Sequence, residues 1–205
     1  MSCADLLLKQ LSLSNLPEIH DHLMRLDDAS RSQRFAQRAS NEVVAGYTYK
    51  LDFVRDMHYG VWEDASEAQQ LRAYAHLAMN VGSRIGEIGI SVEEPYRRHG
   101  VARQLMARAV MHARNRGLLE IMMYFQAYNS DLLALARCLK MQVSVSNGEG
   151  MARLRLNPPS PGSYADEVIA GWAEVGPASW VTQTSETGGV TRLVWDVALQ
   201  RYFTA

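Results

Sequence analysis

The 205-residue sequence predicts an α/β (α+β) domain: a mixed, mostly antiparallel sheet flanked by helices, followed by a C-terminal extension. Three observations carry this expectation. Between residues 59 and 92, short apolar runs alternate with polar turns, the pattern of an antiparallel meander. Residues 101–113 repeat apolar side chains at helical spacing and lead into a second apolar run at 118–125, a strand–helix–strand unit with a right-handed crossover. The run Pro158-Pro159-Ser160-Pro161-Gly162 then marks a boundary, dividing the chain into residues 1–156 and 157–205.

In chain order, residues 1–58 read as helical and connecting. Asn15-Leu16-Pro17 opens a helix through Arg25, with Leu16, Ile19, Leu23 and Leu26 on one face. Asp27–Ala36 is a second, polar turn of helix. Asn41–Met57 is a third amphipathic segment carried by Val44, Tyr47, Leu51 and Val54. Strands are expected at Tyr59–Trp62, Leu71–Met79 and Arg84–Val92, with a polar turn over Glu63–Gln70. The next helix has Val101, Ala102, Leu105, Met106, Ala109, Val110 and Ala113 on one side and stops at Gly117. Leu118–Phe125 is a buried strand, and Asn129–Leu139 a helix capped by Asn129 or Ser130. Gln142–Val145 and Met151–Leu156 pair around Asn147-Gly148. Beyond the boundary, Ser163–Val175 is helical, and Val190–Leu199 fits both a strand and a helix, with Gly188-Gly189 favouring a hairpin. Three of the four tryptophans, Trp172, Trp180 and Trp195, fall in this last segment, which should therefore pack.

Charge narrows the function classes. The formal net charge is -1, yet Glu93 to Arg116 holds six arginines (Arg97, Arg98, Arg103, Arg108, Arg114, Arg116) against two glutamates. One basic turn in a near-neutral chain suits a small anion; a nucleic acid would need a broad basic face. Cys3 and Cys138 are far apart, so no metal is expected, and they read as reduced thiols of a cytoplasmic protein. No signal-peptide pattern is visible, and no apolar run approaches the roughly 20 residues that span a membrane. His20 and His22 diverge on their helix and read as surface residues. His76 reads as a packed or substrate-side residue, Cys138 as a plain helix cysteine, and Met122-Met123 as core.

The chemistry concentrates in Glu87–Arg116. A strand runs into Arg97-Arg98-His99-Gly100-Val101-Ala102 and straight into a helix. Free backbone N–H groups and the positive end of the helix dipole meet there, which is an anion site. Gly100 admits close approach of a ligand to the backbone, and Ala102 keeps the helix start clear. There is no Gly-Lys-Ser/Thr loop and no Gly-x-Gly-x-x-Gly behind a first strand, which disfavours nucleotide kinases and dehydrogenases.

Arg97, Gly100 and Ala102 match the Gln/Arg-x-x-Gly-x-Gly/Ala turn, and with its flanking elements the stretch 59–156 resembles the GNAT superfamily of acetyl-CoA-dependent N-acetyltransferases. Leu26-Asp27 and Ser32-Gln33-Arg34-Phe35 resemble the front of bacterial GNAT domains related to lysine acetyltransferases. The resemblance leaves the tail after Pro158 unexplained. It implies a sheet split where the cofactor enters and a coenzyme A pyrophosphate on Arg97, Arg98, His99, Gly100, Val101 and Ala102. It further implies pantetheine contacts with the main chain of Ile90, Ser91 and Val92. Asn129 falls where the family often places an asparagine near the pantetheine or the thioester; as a plain residue it caps a helix.

The same resemblance implies direct attack of a primary amine on the thioester of acetyl-CoA, the co-substrate. The amine belongs to a protein lysine or a small molecule, with the front segment leaning towards lysine. Glu87 stands on the strand that usually carries the base, sharing a face with Gly89 and Ser91. The family's acid, a tyrosine in Leu-Tyr-x-x-x-Gly-Phe, is missing. Leu135 is followed by Ala136, and Lys140-Met141 replaces Gly-Phe. Tyr128 is the first substitute, with Tyr124 or water behind it. That departure keeps a second reading open, a non-catalytic acyl-CoA-binding regulatory module. The tryptophan-rich tail is a candidate homodimer contact or a cover for the acceptor cleft.

Overall fold

The computed structural model describes residues 6–63, 69–80 and 82–175. One sheet holds seven strands: β1 (Leu6–Gln10), β2 (Met57–Glu63), β3 (Gln70–Met79), β4 (Ile85–Val92), β5 (Glu120–Gln126), β6 (Gln142–Ser146) and β7 (Glu149–Arg155). Their order is β1-β2-β3-β4-β5-β7-β6, and every neighbouring pair is antiparallel except β4 and β5. The helices are α1 (Leu16–Arg25), α2 (Asp28–Phe35), α3 (Asn41–Tyr49), α4 (Val101–Asn115), α5 (Ser130–Cys138) and α6 (Pro161–Val175). This is the mixed, mostly antiparallel architecture that the alternation of apolar runs predicts.

Two apolar cores lie on the two faces. The larger joins Tyr59, Val61, Ala73, Ala75, Ile88 and Ile90 to Leu105, Met106, Ala109 and Val110 of α4. The smaller joins Ile19 and Leu23 of α1 and Val44 of α3 to Trp62, Leu71 and Tyr74. Leu71 and Ala73 would share a face in a regular strand, yet they serve opposite cores. The register explains it: Val61 faces Ala73 and Trp62 faces Leu71, so Arg72 is bulged out and the alternation resets. The bulge sends the Arg72 side chain to Glu63 at 2.7 Å and Glu93 at 3.1 Å.

Two expectations for the front of the chain need correction. Leu6–Gln10 is strand, not connection: it forms the sheet edge against β2, with Leu6 and Leu8 on the large core. A five-residue edge strand has one partner and no turn signal before it, so its short apolar run is easily read as coil. The third amphipathic segment ends at Tyr49 rather than Met57. Asp52 Oδ1 accepts from the N–H groups of Val54 and Arg55, both at 3.0 Å, and offers the backbone a turn in place of helix. Val54, expected on the buried face, is 96% exposed.

The functional half of the fold follows from one seam. β4 pairs in parallel with β5 only over Ile85–Glu87 against Glu120–Met122, while β3 follows β4 through to Val92. Beyond Glu87 the strands fork, and α4 leaves the open end. Asn147 and Gly148, with φ of 52° and 83°, make the tight β6–β7 turn that Asn-Gly predicts.

After the proline run, α6 packs on the back of α4. His112 Nδ1–H donates to Glu167 Oε1 at 2.6 Å, and Asn115 Nδ2 donates to Glu167 Oε2 at 2.7 Å and to the Ser163 carbonyl at 2.9 Å. Trp180, Trp195, the Val190–Leu199 segment and the side chain of Trp172 lie outside the described residues. No described helix is long and apolar enough to cross a membrane.

Candidate active site

A cleft of about 290 Å³ opens in the β4–β5 fork. Ile90, Ser91 and Val92 form one wall, the turn and α4 start (Arg97, Arg98, Gly100, Val101, Ala102) close one end, and Asn129, Leu132, Leu135 and Cys138 form the opposite wall. Nine of the ten predicted cofactor residues therefore converge on one cleft; His99 is exposed and does not line it.

The turn leaves its backbone open. Gly100 has φ 81°, a left-handed conformation that favours glycine, and a Cβ placed there would meet nothing within 4 Å. The space over its backbone is open to a ligand. No side chain caps α4, whose first backbone bond runs from Gln104 N–H to the Gly100 carbonyl at 3.0 Å. The amides of Val101 and Ala102 precede that bond at the positive end of a 15-residue helix.

The two turn arginines already serve the protein. Arg97 Nε donates to the Val92 carbonyl at 3.0 Å and Nη2 to Ser30 Oγ at 2.7 Å. Arg98, 75% exposed in its side chain and at φ 65°, pairs with Asp131 at 3.0 Å, bridging the turn to α5. Both bring positive charge to the anion end. Asn129 is buried, and its Oδ1 accepts from Leu132 N–H at 3.0 Å, so it caps α5 while lining the cleft.

The candidate acid–base residues stand apart from this lining. Glu87 is exposed and is the last β4 residue paired with β5, at the closed base of the fork. Tyr128 is 70% exposed, with its hydroxyl donating to Gln126 Oε1. Ala136, at the position where the resemblance calls for tyrosine, is fully buried in the core. Lys140, where that pattern has glycine, takes φ 53°, so the backbone keeps the left-handed bend without the residue that suits it best.

With the forked strands and the glycine turn in place, the match to the Acetyltransferase (GNAT) family over residues 17–140 accounts for α1 through α5 as one unit. The chain belongs to the GNAT acetyltransferase family. No curated protein sequence matches it. Solved structures share its fold at low identity. The GNAT domain of S. lividans PAT is 16% identical, with a TM-score of 0.59 over 73% of this chain and 89% of that one. The ribosomal-protein-S18-alanine N-acetyltransferase of Escherichia coli gives 15% and 0.56 over 76% and 97%. The PaiA N-acetyltransferase of Thermoplasma acidophilum, solved in complex with coenzyme A, gives 16% and 0.57 over 74% and 99%.

Two features of this GNAT domain escape the sequence reading. His22, expected at the surface, is fully buried. Its Nδ1–H donates to Glu93 Oε1 at 3.2 Å, and its Nε2 accepts from Ser91 Oγ at 2.9 Å. Burial lowers its proton affinity against the pull of Glu93, so at neutral pH it is an uncharged link pinning α1 to the cleft wall. The i,i+2 spacing with His20 diverts attention, because it gives direction but not depth. Arg34 and Tyr96 also line the cleft, and α2 brings Arg34 to β4. Among the described residues, no group of three or more His, Cys, Asp or Glu side chains could hold a metal.

Proposed function

We propose that this GNAT protein transfers the acetyl group of acetyl-CoA to a primary amine, of a protein lysine or a small molecule, by direct attack of the amine on the thioester. The observation that carries the proposal is the fork: Ile90–Val92 present unpaired main chain towards β5 beside the uncapped start of α4 and the open backbone of Gly100. Free strand groups suit the amide-bearing pantetheine arm, and the helix start suits the pyrophosphate.

In this reading the residues divide the work. Gly100, Val101 and Ala102 supply backbone to the pyrophosphate, while Arg97, Arg98 and His99 set the turn and its charge. Ile90, Ser91 and Val92 align the arm, and Asn129 shapes the wall near the thioester. Glu87, at the base of the fork, takes the proton that the amine sheds, through water. Tyr128 or water returns a proton to the thiolate released when the C–S bond breaks. Cys138 is an exposed free thiol, which fits the cytoplasm as the compartment.

A second reading has its own observation. With Ala136 in place of tyrosine and Glu87 outside the cleft lining, the domain would bind acyl-CoA without turnover, as a regulatory module. Calorimetry with acetyl-CoA, against free CoA, ATP and NAD, followed by an amine screen for released thiol, tests both. Micromolar binding with transfer is the expected result. Binding without transfer favours the regulatory module, and no binding overturns the cleft assignment.

A further inference from the structure

The cleft carries a charged side chain away from its anion turn, Arg34 near the C-terminal end of α2. Its guanidinium rests against Gly89 of β4. A Cβ at residue 89 would come within 2.5 Å of Cζ and 2.6 Å of both terminal nitrogens, so the guanidinium occupies space that exists because residue 89 has no side chain. Gly89 lies two residues from Glu87 on the same face and on the side away from Val92 and the turn. The charge therefore sits beside the base of the fork, where the acetyl-transfer reading puts the chemistry.

A half-buried relay fixes it there. Arg34 Nη2 donates to Tyr47 Oη at 2.7 Å, and the rings of Phe35 and Tyr47 lie 5.4 and 5.2 Å from Cζ. An arginine only donates, so the Tyr47 oxygen accepts and its own proton goes to His76 Nδ1 at 2.8 Å. His76 then carries its proton on Nε2, which donates to Asp56 Oδ2 at 3.0 Å. Asp56 Oδ1 accepts from the Met79 amide at 3.0 Å, which roots the chain in β3.

What Arg34 does not have is an anion. Among the described residues no carboxylate forms an ion pair with it, and its Nε is buried without a partner. Asp56 stands two side chains behind it. Among the described residues, the only acid lining the cleft, Asp131, is paired with Arg98 near the turn. A half-buried, rigidly held arginine lining a cleft with no acid paired to it is one half of a carboxylate clamp.

The geometry points to an acceptor that carries a carboxylate next to its amine, a small amino acid-type substrate held through Arg34. This rests on the acetyl-transfer reading. A protein lysine brings its ammonium on a long apolar stem with no carboxylate near it, and would meet Arg34 as a like charge.

The test measures kcat/KM for a panel of L-amino acids, their carboxamides, a lysine peptide and a peptide with an acidic first residue. Wild type is compared with Arg34→Met, and calorimetry measures acetyl-CoA affinity and the binding of each amine. Free acids should exceed their amides by at least about tenfold, the scale of a charge-assisted contact. Arg34→Met should erase that preference and leave acetyl-CoA affinity intact. Gly89→Ala, whose Cβ pushes the guanidinium aside, should weaken the preference without removing the charge. Equal use of acids and amides, preference for either peptide, or equal losses on acids and amides in Arg34→Met would each overturn the inference. If acetyl-CoA binds and no amine is acetylated, the transfer reading fails, and the calorimetric comparison of acids with amides still decides the role of Arg34.

Discussion

Arg97 Nη2 donates to Ser30 Oγ at 2.7 Å, so the residue that opens the anion turn also holds the first turn of α2 against it. Ser30 Oγ in turn donates to Asp27 Oδ2 at 2.7 Å, and Asp27 Oδ1 caps α2 through the Ser30 amide at 2.8 Å. One hydrogen-bonded post thus joins the glycine-turn end of the cleft to the α2 end.

Removing that post should loosen both ends. Arg97→Ala loses the bonds to Val92 and Ser30 and should cost about 2–3 kcal/mol of stability, together with weaker acetyl-CoA binding. Ser30→Ala keeps the positive charge and should cost about 1 kcal/mol. Urea denaturation and acetyl-CoA calorimetry on both variants separate the structural bonds from the charge. Equal affinity losses in the two would assign the effect to the post rather than to the charge.

Gly100→Glu should abolish acetyl-CoA binding while the protein remains folded. The open space around residue 100 avoids any clash, and the left-handed backbone costs about 1–2 kcal/mol for a residue with Cβ. The new carboxylate then occupies the anion position. A near-native circular dichroism spectrum with normal acetyl-CoA affinity would contradict the placement of the pyrophosphate.

Glu87→Gln should leave acetyl-CoA affinity unchanged and slow transfer by about 10²-fold, the usual worth of a positioned general base. A variant with full activity would remove Glu87 from the chemistry and turn attention to water alone.

Acid should destabilise this protein through a histidine. His58 is buried between Phe53 and His76, ring centroids 4.2 and 4.7 Å away, and accepts from Tyr74 Oη at 2.8 Å. Burial, reinforced by the neighbouring His76, lowers its pKa from 6.5 to about 4. The unfolded chain therefore binds a proton that the folded one refuses. Stability is full above pH 6.5 and falls as pH drops towards 4, by about 3 kcal/mol in all. Urea midpoints at pH 7 and pH 5 should differ in that direction, and His58→Phe should flatten the slope.

The sheet and the turn were legible because their signals are local. Period-2 runs, the 3.6-residue stripe from Val101 to Ala113 and Asn147-Gly148 each specify an element from neighbours in sequence. The edge strand Leu6–Gln10 and the end of α3 were not, since one depends on a distant partner and the other on what Asp52 bonds. The site divides in the same way. Gly100 and its flanks form a contiguous motif, whereas Arg34 meets Gly89 across 55 positions, and His22 meets Ser91 across 69. Such pairings arise from helix packing on the sheet and leave no periodic trace.

The three-rung seam between β4 and β5 has a mechanical consequence. It divides the sheet into a block of β1–β4 and a block of β5–β7, sewn together along Ile85–Glu87 and by α4. A molecule lying in the fork becomes a structural member, supplying the rungs that the strands themselves leave out. Loading the protein should then raise its melting temperature with the logarithm of ligand concentration, and slow amide exchange along β5 more than in β2.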